Sequence, residues 1–170
     1  MQTGTITLLG ENAGHYQRAL SRIGAVIESP AAFEKLTVLQ NLHLCAIQHG
    51  IDDQKVIAET VDFVGLQEKQ RTQARHLSLG QRQRLGLALA ILPRPDFLIL
   101  DEPINGLDPS GIMEFRLLLK RLNEERQTTM LISSHILSEL YQVSTRFGII
   151  HHGRMIKQLS KTELDQANQS

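Results

Sequence analysis

The sequence predicts an α/β fold in which an all-helical insertion interrupts a mainly parallel sheet. Residues 97–100 and 129–132 are continuous apolar runs separated by a helical pattern, the strand–helix–strand order of parallel sheets. A third apolar run, Ile23–Ile27, precedes a long stretch with helical periodicity. The chain has 170 residues, of which 41% are hydrophobic, so it is long enough to bury one core.

Composition excludes several classes of protein. Lys plus Arg and Asp plus Glu both number 18, and this balance argues against non-specific nucleic-acid binding, which needs a basic field. Cys45 is the single cysteine, which excludes an internal disulfide and fits a reducing, cytoplasmic setting. The longest apolar run, residues 85–92, is far shorter than the ~20 residues of a membrane span. Since the first basic residue is Arg18, we also expect no secretory leader.

Two strands are predicted before the helical insertion. Residues 5–9 alternate between polar and apolar and end at Gly10, which indicates a half-buried strand. Ile23–Ile27 is a short apolar strand, which Pro30 ends.

Helix caps organise the insertion. Two helices begin with a capping box, in which a hydroxyl and a later glutamine exchange hydrogen bonds with the backbone: Thr37 with Gln40, and Ser78 with Gln81. Asp52 or Asp53 is the predicted cap of an intervening helix, which ends at Gly65. The first helix is expected to bury one apolar face: Leu39, Leu42, Ala46 and Ile47.

The last third of the chain alternates between strands and helices. Asp108 followed by Pro109 predicts a helix start after the strand at 97–100. Ser134 is the predicted cap of a short helix after the strand at 129–132. Residues 147–150 form a further strand that turns at Gly153, and residues 160–163 cap a final helix.

Acidic residues follow the buried strand directly. Asp101 and Glu102 come at its carboxyl end, where α/β proteins bind ligands. One carboxylate can hold Mg²⁺ and the other can polarise a nucleophilic water. A solvated strand end explains this pair of residues equally well when it is taken without its neighbours in the sequence.

Two further segments have phosphate-binding chemistry. The helix start at residues 77–81 offers free N–H groups and a positive dipole end, and Gly80 permits close approach to the backbone. His135, after the strand at 129–132, can touch a terminal phosphate. An ordinary capping box and a helix-capping histidine are the alternatives.

Together, these motifs resemble the ATP-binding cassette (ABC) ATPases. The matching segments, in this order and spacing, are Leu-Ser-Leu-Gly-Gln (77–81), Leu-Asp-Glu-Pro (100–103), Gly-Leu-Asp-Pro (106–109) and Ser-Ser-His (133–135). The chain is most similar to the ATPase subunits of bacterial exporters of bacitracin and lantibiotics, which also tolerate a non-glycine at Leu79. The resemblance implies one incomplete P-loop NTPase domain, with a core at 1–30 and 94–159, a helical subdomain at 31–93 and a tail at 160–170.

The family's residue roles carry over where the motifs match. Asp101 would support Mg²⁺, Glu102 would be the catalytic base, and His135 would sense the terminal phosphate. Ser78, Gly80 and Gln81 would contact ATP held by an opposite subunit in a head-to-tail dimer. Asp108 would couple the two subunits. Glu28 stands where the family usually has glutamine, at the loop facing the transmembrane partner, and its extra charge sets it apart.

The phosphate-cradling P-loop, G-x-x-x-x-G-K-[ST], has no match, because no Gly-Lys dipeptide occurs in the sequence. The family places this motif upstream of the strand expected at residues 5–9. We therefore expect the chain by itself not to hydrolyse ATP, and a mixed dimer with a complete ATPase to hold at most one working site.

The function expected from the resemblance is that of an ATP-binding and ATP-hydrolysing subunit of an antimicrobial or drug exporter, peripheral to the inner face of the plasma membrane. Its partners would be a second ABC ATPase and a separate transmembrane permease, with no nucleic acid. One alternative is a truncated, non-catalytic remnant or regulatory pseudo-ATPase. Another is a soluble ABC ATPase acting on DNA or ribosomes, but the long coiled-coil or basic insertions usual in that class do not occur here.

Overall fold

A computed structural model describes residues 4–27 and 31–167 of the chain. The described chain divides into two compact units, which meet in sequence between Ser133 and Ser134. Glu28 lies outside the described residues, as does the predicted stop at 29–30.

The first unit contains a three-stranded parallel sheet and five α-helices. The strands are β1 (Ile23–Ile27), β2 (Phe97–Asp101) and β3 (Thr129–Ser133), in the spatial order β1-β2-β3. The helices are α1 (Tyr16–Leu20), α2 (Val38–Gln48), α3 (Gln54–Phe63), α4 (Leu79–Ile91) and α5 (Pro109–Arg126). Three single turns of 3₁₀ helix complete the unit: Ala13–His15, Gln67–Lys69 and Ala74–His76. The predicted parallel sheet with a helical insertion is thus confirmed.

The predicted caps are present in the structure. Both capping boxes form, before α2 and before α4. Asp53, rather than Asp52, caps α3 by accepting a hydrogen bond from Lys55 N at 2.9 Å. Asp108 caps α5 in the same way, through Gly111 N at 3.1 Å, with Pro109 at the first helical position. Local hydrogen-bonding chemistry therefore sets where these helices begin.

The sheet buries one face and leaves the other open. Leu98 and Leu100 of β2 are fully buried in the core that α4 and α5 cover. On the opposite face Ile27 is 54% exposed and Leu131 is 58% exposed. Because parallel strands are ordinarily covered on both faces, this second face is an uncovered apolar surface.

Two sequence predictions in this unit are wrong. Residues 4–7 have no regular structure, and Leu8 pairs with Glu11 across a tight turn, so residues 5–9 are not a strand. Ile47 of α2 is 75% exposed, while Asn41 is buried in the helix's inner face. Asn41 is accommodated because its carboxamide bonds the backbone of residues 33, 36 and 37.

The second unit is a small β-hairpin with two helices: α6 (Leu137–Val143), β4 (Arg146–His151), β5 (Arg154–Ser160) and α7 (Lys161–Ala167). β4 and β5 are antiparallel and turn at Gly153, as predicted. Ser160 and Glu163 exchange hydrogen bonds at the start of α7, which confirms the predicted cap. Ser134 does not cap α6: the helix begins at Leu137, and the Ser134 hydroxyl accepts from Ile136 N instead.

Candidate functional site

The N-terminus of α4 is built by its capping box. The Ser78 hydroxyl accepts a hydrogen bond from Gln81 N at 3.3 Å, and the Gln81 side chain accepts one from Ser78 N at 3.1 Å. This exchange holds Ser78 in an extended conformation and fixes the first turn of the helix. The end that carries Gly80 is consequently rigid and partly exposed, with the positive end of the helix dipole at its tip.

The loop before α5 packs against this helix start. An ideal Cβ on Gly106 would lie 3.1 Å from Leu79 Cδ2, and one on Gly80 would lie 3.8 Å from Leu107 Cδ2. Gly106 has a φ of +77°, so glycine is required there by both conformation and space. The two segments therefore form adjoining walls.

Between the walls lies an open groove of about 710 Å³. Its lining includes four of the predicted site residues: Ser78, Gly80, Gln81 and Asp108. Residues far apart in sequence are thus brought to one surface, with a helix N-terminus on each side, since Asp108 caps α5. Such a surface suits an anionic ligand.

The carboxylate pair lies at the end of β2. Asp101 is in register with Ser133 of β3, whose hydroxyl donates a hydrogen bond to Asp101 Oδ1. The same hydroxyl accepts from Glu102 N at 3.1 Å, and the Ser133 carbonyl oxygen accepts from it at 3.2 Å. These bonds hold Glu102 at a φ of +47°, a left-handed conformation that is unfavourable for a residue other than glycine.

The remaining predicted site residues are not joined to these groups by any described contact. His135 is exposed and belongs to the second unit. Glu28 falls outside the described residues. Asp101 and Glu102 do not line the groove beside α4. The first unit therefore presents two separate features, the groove and the acidic strand end.

The acidic strand end fits a magnesium ion that is shared with a ligand. Its donors, a carboxylate and a neighbouring hydroxyl, are the hard oxygens that Mg²⁺ prefers. Within the described residues, no group of three or more His, Cys, Asp or Glu side chains is placed to bind a metal. This agrees with Mg²⁺ sites that use one or two carboxylates and take their other ligands from phosphates and water.

Sequence reasoning assigned no role to several residues of these features. Ser133 supports both acidic residues, and the signal for it was its position at the end of the strand after β2. Gly65, Arg84 and Glu114 line the groove together with the predicted residues. No sequence motif pointed to these three residues, because tertiary packing brings them together.

Comparison with protein families agrees with this arrangement. A sequence model of the family described as "ABC transporter" matches residues 1–105, more than half of the chain. The chain belongs to the ABC transporter family. Its fold class, an α/β fold of the P-loop NTPase type, follows from this membership and from the solved structures below.

Curated relatives come from the same family. This ABC-family chain is 40% identical over 166 residues to the bacitracin transport ATP-binding protein BcrA of Enterococcus faecalis, an alignment covering 97% of the chain and 54% of the relative. BcrA of Bacillus licheniformis is 42% identical, with 98% and 55% covered. The lantibiotic transport ATP-binding protein SrtF of Streptococcus pyogenes is 37% identical, with 82% and 60% covered. The chain spans about half the length of the BcrA relatives it matches.

Solved structures show the same fold. The structure of cbiO1 from Clostridium perfringens, part of the ABC transporter complex cbiONQ, superimposes with a TM-score of 0.87 at 24% identity, covering 98% of this chain and 70% of that one. An ATP-binding subunit of an ABC transporter gives a TM-score of 0.79 at 26% identity, with 99% and 71% covered. The predicted membership of the ABC ATPases is thus confirmed.

Proposed function

We propose that the chain acts as an ATP-binding subunit of an ABC exporter and contributes the Ser78–Asp108 face to a nucleotide held by a second ATPase subunit. The groove at the N-terminus of α4 is the observation that carries this proposal. Four residues that the family uses toward an opposite subunit's ATP line this one surface: Ser78, Gly80, Gln81 and Asp108.

The chemistry of the groove suits the phosphates of ATP. Space above Gly80 is open, so a phosphate oxygen can approach the backbone at the start of α4. The Ser78 oxygen already accepts a hydrogen bond within the capping box, which turns its hydroxyl hydrogen outward as a donor. ATP bound on the partner would supply negative charge to this end of the helix dipole, and the attraction would hold the two subunits together.

The acidic strand end would serve the chain's own half of the dimer. Asp101, supported by the Ser133 hydroxyl, would hold Mg²⁺, and Glu102 would accept a proton from a water molecule. His135 would donate to the terminal phosphate. Since the sequence contains no Gly-Lys dipeptide, we expect these groups to be inactive without a phosphate cradle from elsewhere, so a mixed dimer would have one working site.

Antimicrobial compounds are the proposed cargo. The relatives' names refer to bacitracin and lantibiotic transport, and this chain would serve the same class of substrate. Within the described residues, no helix is both long enough and apolar enough to pass through a bilayer. The transport path would belong to a separate permease, with this chain at the inner face of the plasma membrane.

The two capping boxes provide a matched pair of variants. Ser78→Ala and Thr37→Ala remove equivalent caps, from α4 beside the groove and from α2, whose Thr37 does not line it. Each should lower the free energy of unfolding by about 1 kcal/mol. We expect the chain to associate with full-length Enterococcus faecalis BcrA in the presence of ATP, and Ser78→Ala to weaken that association at least tenfold, with Thr37→Ala within twofold of wild type.

Analytical ultracentrifugation with and without ATP measures this association. Two results would contradict the proposal: association that does not depend on ATP, or equal losses for the two variants. Equal losses would mean that the cap of α4 acts on stability without contacting the nucleotide.

A further inference from the structure

Arg84 connects three helices beneath the groove. It lies on α4, donates a hydrogen bond to the carbonyl oxygen of Val64 at the end of α3 (3.2 Å), and forms an ion pair with Glu114 of α5. Its side chain is 24% exposed, so much of the guanidinium lies within the protein. Arginine suits this position because its planar fork can bond two acceptors at once, which a lysine ammonium does less well.

Gly65 makes room for this arginine. A Cβ at Gly65 would lie 2.9 Å from Arg84 Nη1, closer than real side chains permit. Gly65 also has a φ of +70°, as the residue that ends α3. Gly50 ends α2 in a similar conformation, φ +66°, but nothing lies within 4 Å of its Cβ position. Gly65 therefore meets a spatial demand that Gly50 does not.

The Arg84–Glu114 pair lies at the same depth in both helices. Arg84 follows the α4 cap, Ser78, by six residues, and Glu114 follows the α5 cap, Asp108, by six residues. At 1.5 Å per helical residue, each cap lies about 9 Å farther along its helix. The ion pair thus joins α4 and α5 at matching distances from the ends that form the walls of the groove.

We propose that Arg84 is a positioning residue that holds the N-termini of α4 and α5 in the spacing needed to face one nucleotide together. The arginine acts through the two helices, because its guanidinium is engaged by Val64 and Glu114. This inference rests on the proposed function, since it concerns the geometry of the same groove.

A second ion pair supplies the control. Arg94 pairs with Glu59 of α3 at 2.9 Å, with both side chains more than half exposed, and neither residue lines the groove. Arg84→Gln and Arg94→Gln each break one ion pair to a helix of the first unit. Gly65→Ala and Gly50→Ala form a second matched set, in which the first introduces a clash with Arg84 and the second only conformational strain.

Nuclear Overhauser effects between the walls report the spacing directly. The pairs to follow are the Leu79 methyls with Gly106 and the Leu107 methyls with Gly80, measured in the full 170-residue chain. We expect Arg84→Gln and Gly65→Ala to reduce these cross-peaks at least twofold relative to intrahelical ones. Arg94→Gln and Gly50→Ala should leave them unchanged. Unchanged cross-peaks in both Arg84→Gln and Gly65→Ala would overturn the inference.

The association assay provides an independent result. Arg84→Gln should weaken ATP-dependent association with full-length BcrA about tenfold, and Arg94→Gln less than twofold. If the wild-type chain does not associate, the proposed function fails, while the cross-peaks still decide whether Arg84 sets the spacing. If it associates and Arg84→Gln equals Arg94→Gln, the positioning role is wrong and the proposed function stands.

Discussion

Gly24 decides how closely α4 packs on β1. An ideal Cβ at this residue would lie 2.4 Å from the carbonyl oxygen of Ala90 and 3.0 Å from Leu98 Cδ1. Ordinary contacts begin near 3.4 Å, so Gly24→Ala requires α4 to move by about 1 Å away from the strand. Since the closest obstacle is backbone and the next is a fully buried leucine, neither can simply rotate aside.

The expected cost is large for one methyl group. Overpacking a core costs about 1–3 kcal/mol, and we expect about 3 kcal/mol here because backbone must shift. With a typical urea dependence of about 2 kcal/mol per M, the midpoint of unfolding should fall by about 1.5 M at an unchanged slope. The control is Gly14→Ala, whose Cβ would have only Asn12 Oδ1 nearby, at 3.6 Å, and should change stability by less than about 0.5 kcal/mol. Should Gly24→Ala unfold within 0.5 kcal/mol of wild type, the packing of α4 on β1 is misjudged.

Three further outcomes are expected. Burial raises the pKa of the Cys45 thiol, so at pH 8 it should react with Ellman's reagent more slowly in the folded chain than in urea; equal rates would contradict this. Hydrogen bonds from Ser160 lower the pKa of Glu163, so its stabilisation is complete above the unfolded value of about 4.3 and is lost as pH falls through the lower folded value. The urea-midpoint advantage of wild type over Glu163→Gln should therefore shrink on acidification, and a constant difference would refute the effect. Leu131→Thr, on the open sheet face, should raise solubility in salt precipitation with less than about 0.5 kcal/mol change in stability, unless that face is already covered.

Local chemistry made much of the fold predictable. A hydroxyl with a glutamine three residues later marks the starts of α2 and α4, and Asp108 with Pro109 marks the start of α5. These signals work because the cap bonds involve residues within one helical turn. The groove residues Ser78, Gly80, Gln81 and Asp108 were predictable for the same reason, since each belongs to a helix start or its motif.

Predictions failed where distant partners decide the structure. Residues 5–9 alternate like a strand, but alternation gives a strand only when another backbone edge pairs with it, and Leu8 pairs only with the nearby Glu11 among the described residues. Ile47 fits the apolar face of α2, yet Asn41 occupies the interior because four backbone hydrogen bonds satisfy its side chain.

Tertiary register hides the supporting residues of the site in the same way. Ser133 bonds Asp101 because β2 and β3 align residue by residue, which no spacing along the chain reveals. Arg84 reaches Val64 and Glu114 across two helix contacts, twenty and thirty residues away. Residues of this kind become visible once the elements are packed together.

A photoreactive ATP analogue tests the central claim most directly. The analogue, with its reactive group on the terminal phosphate, would be bound to full-length Enterococcus faecalis BcrA and irradiated with this chain present. The account predicts that peptide mapping finds the label on the segments that line the groove, residues 78–81 or 106–108. Label confined to residues outside the groove, or equal labelling of Ser78→Ala and wild type, would contradict it.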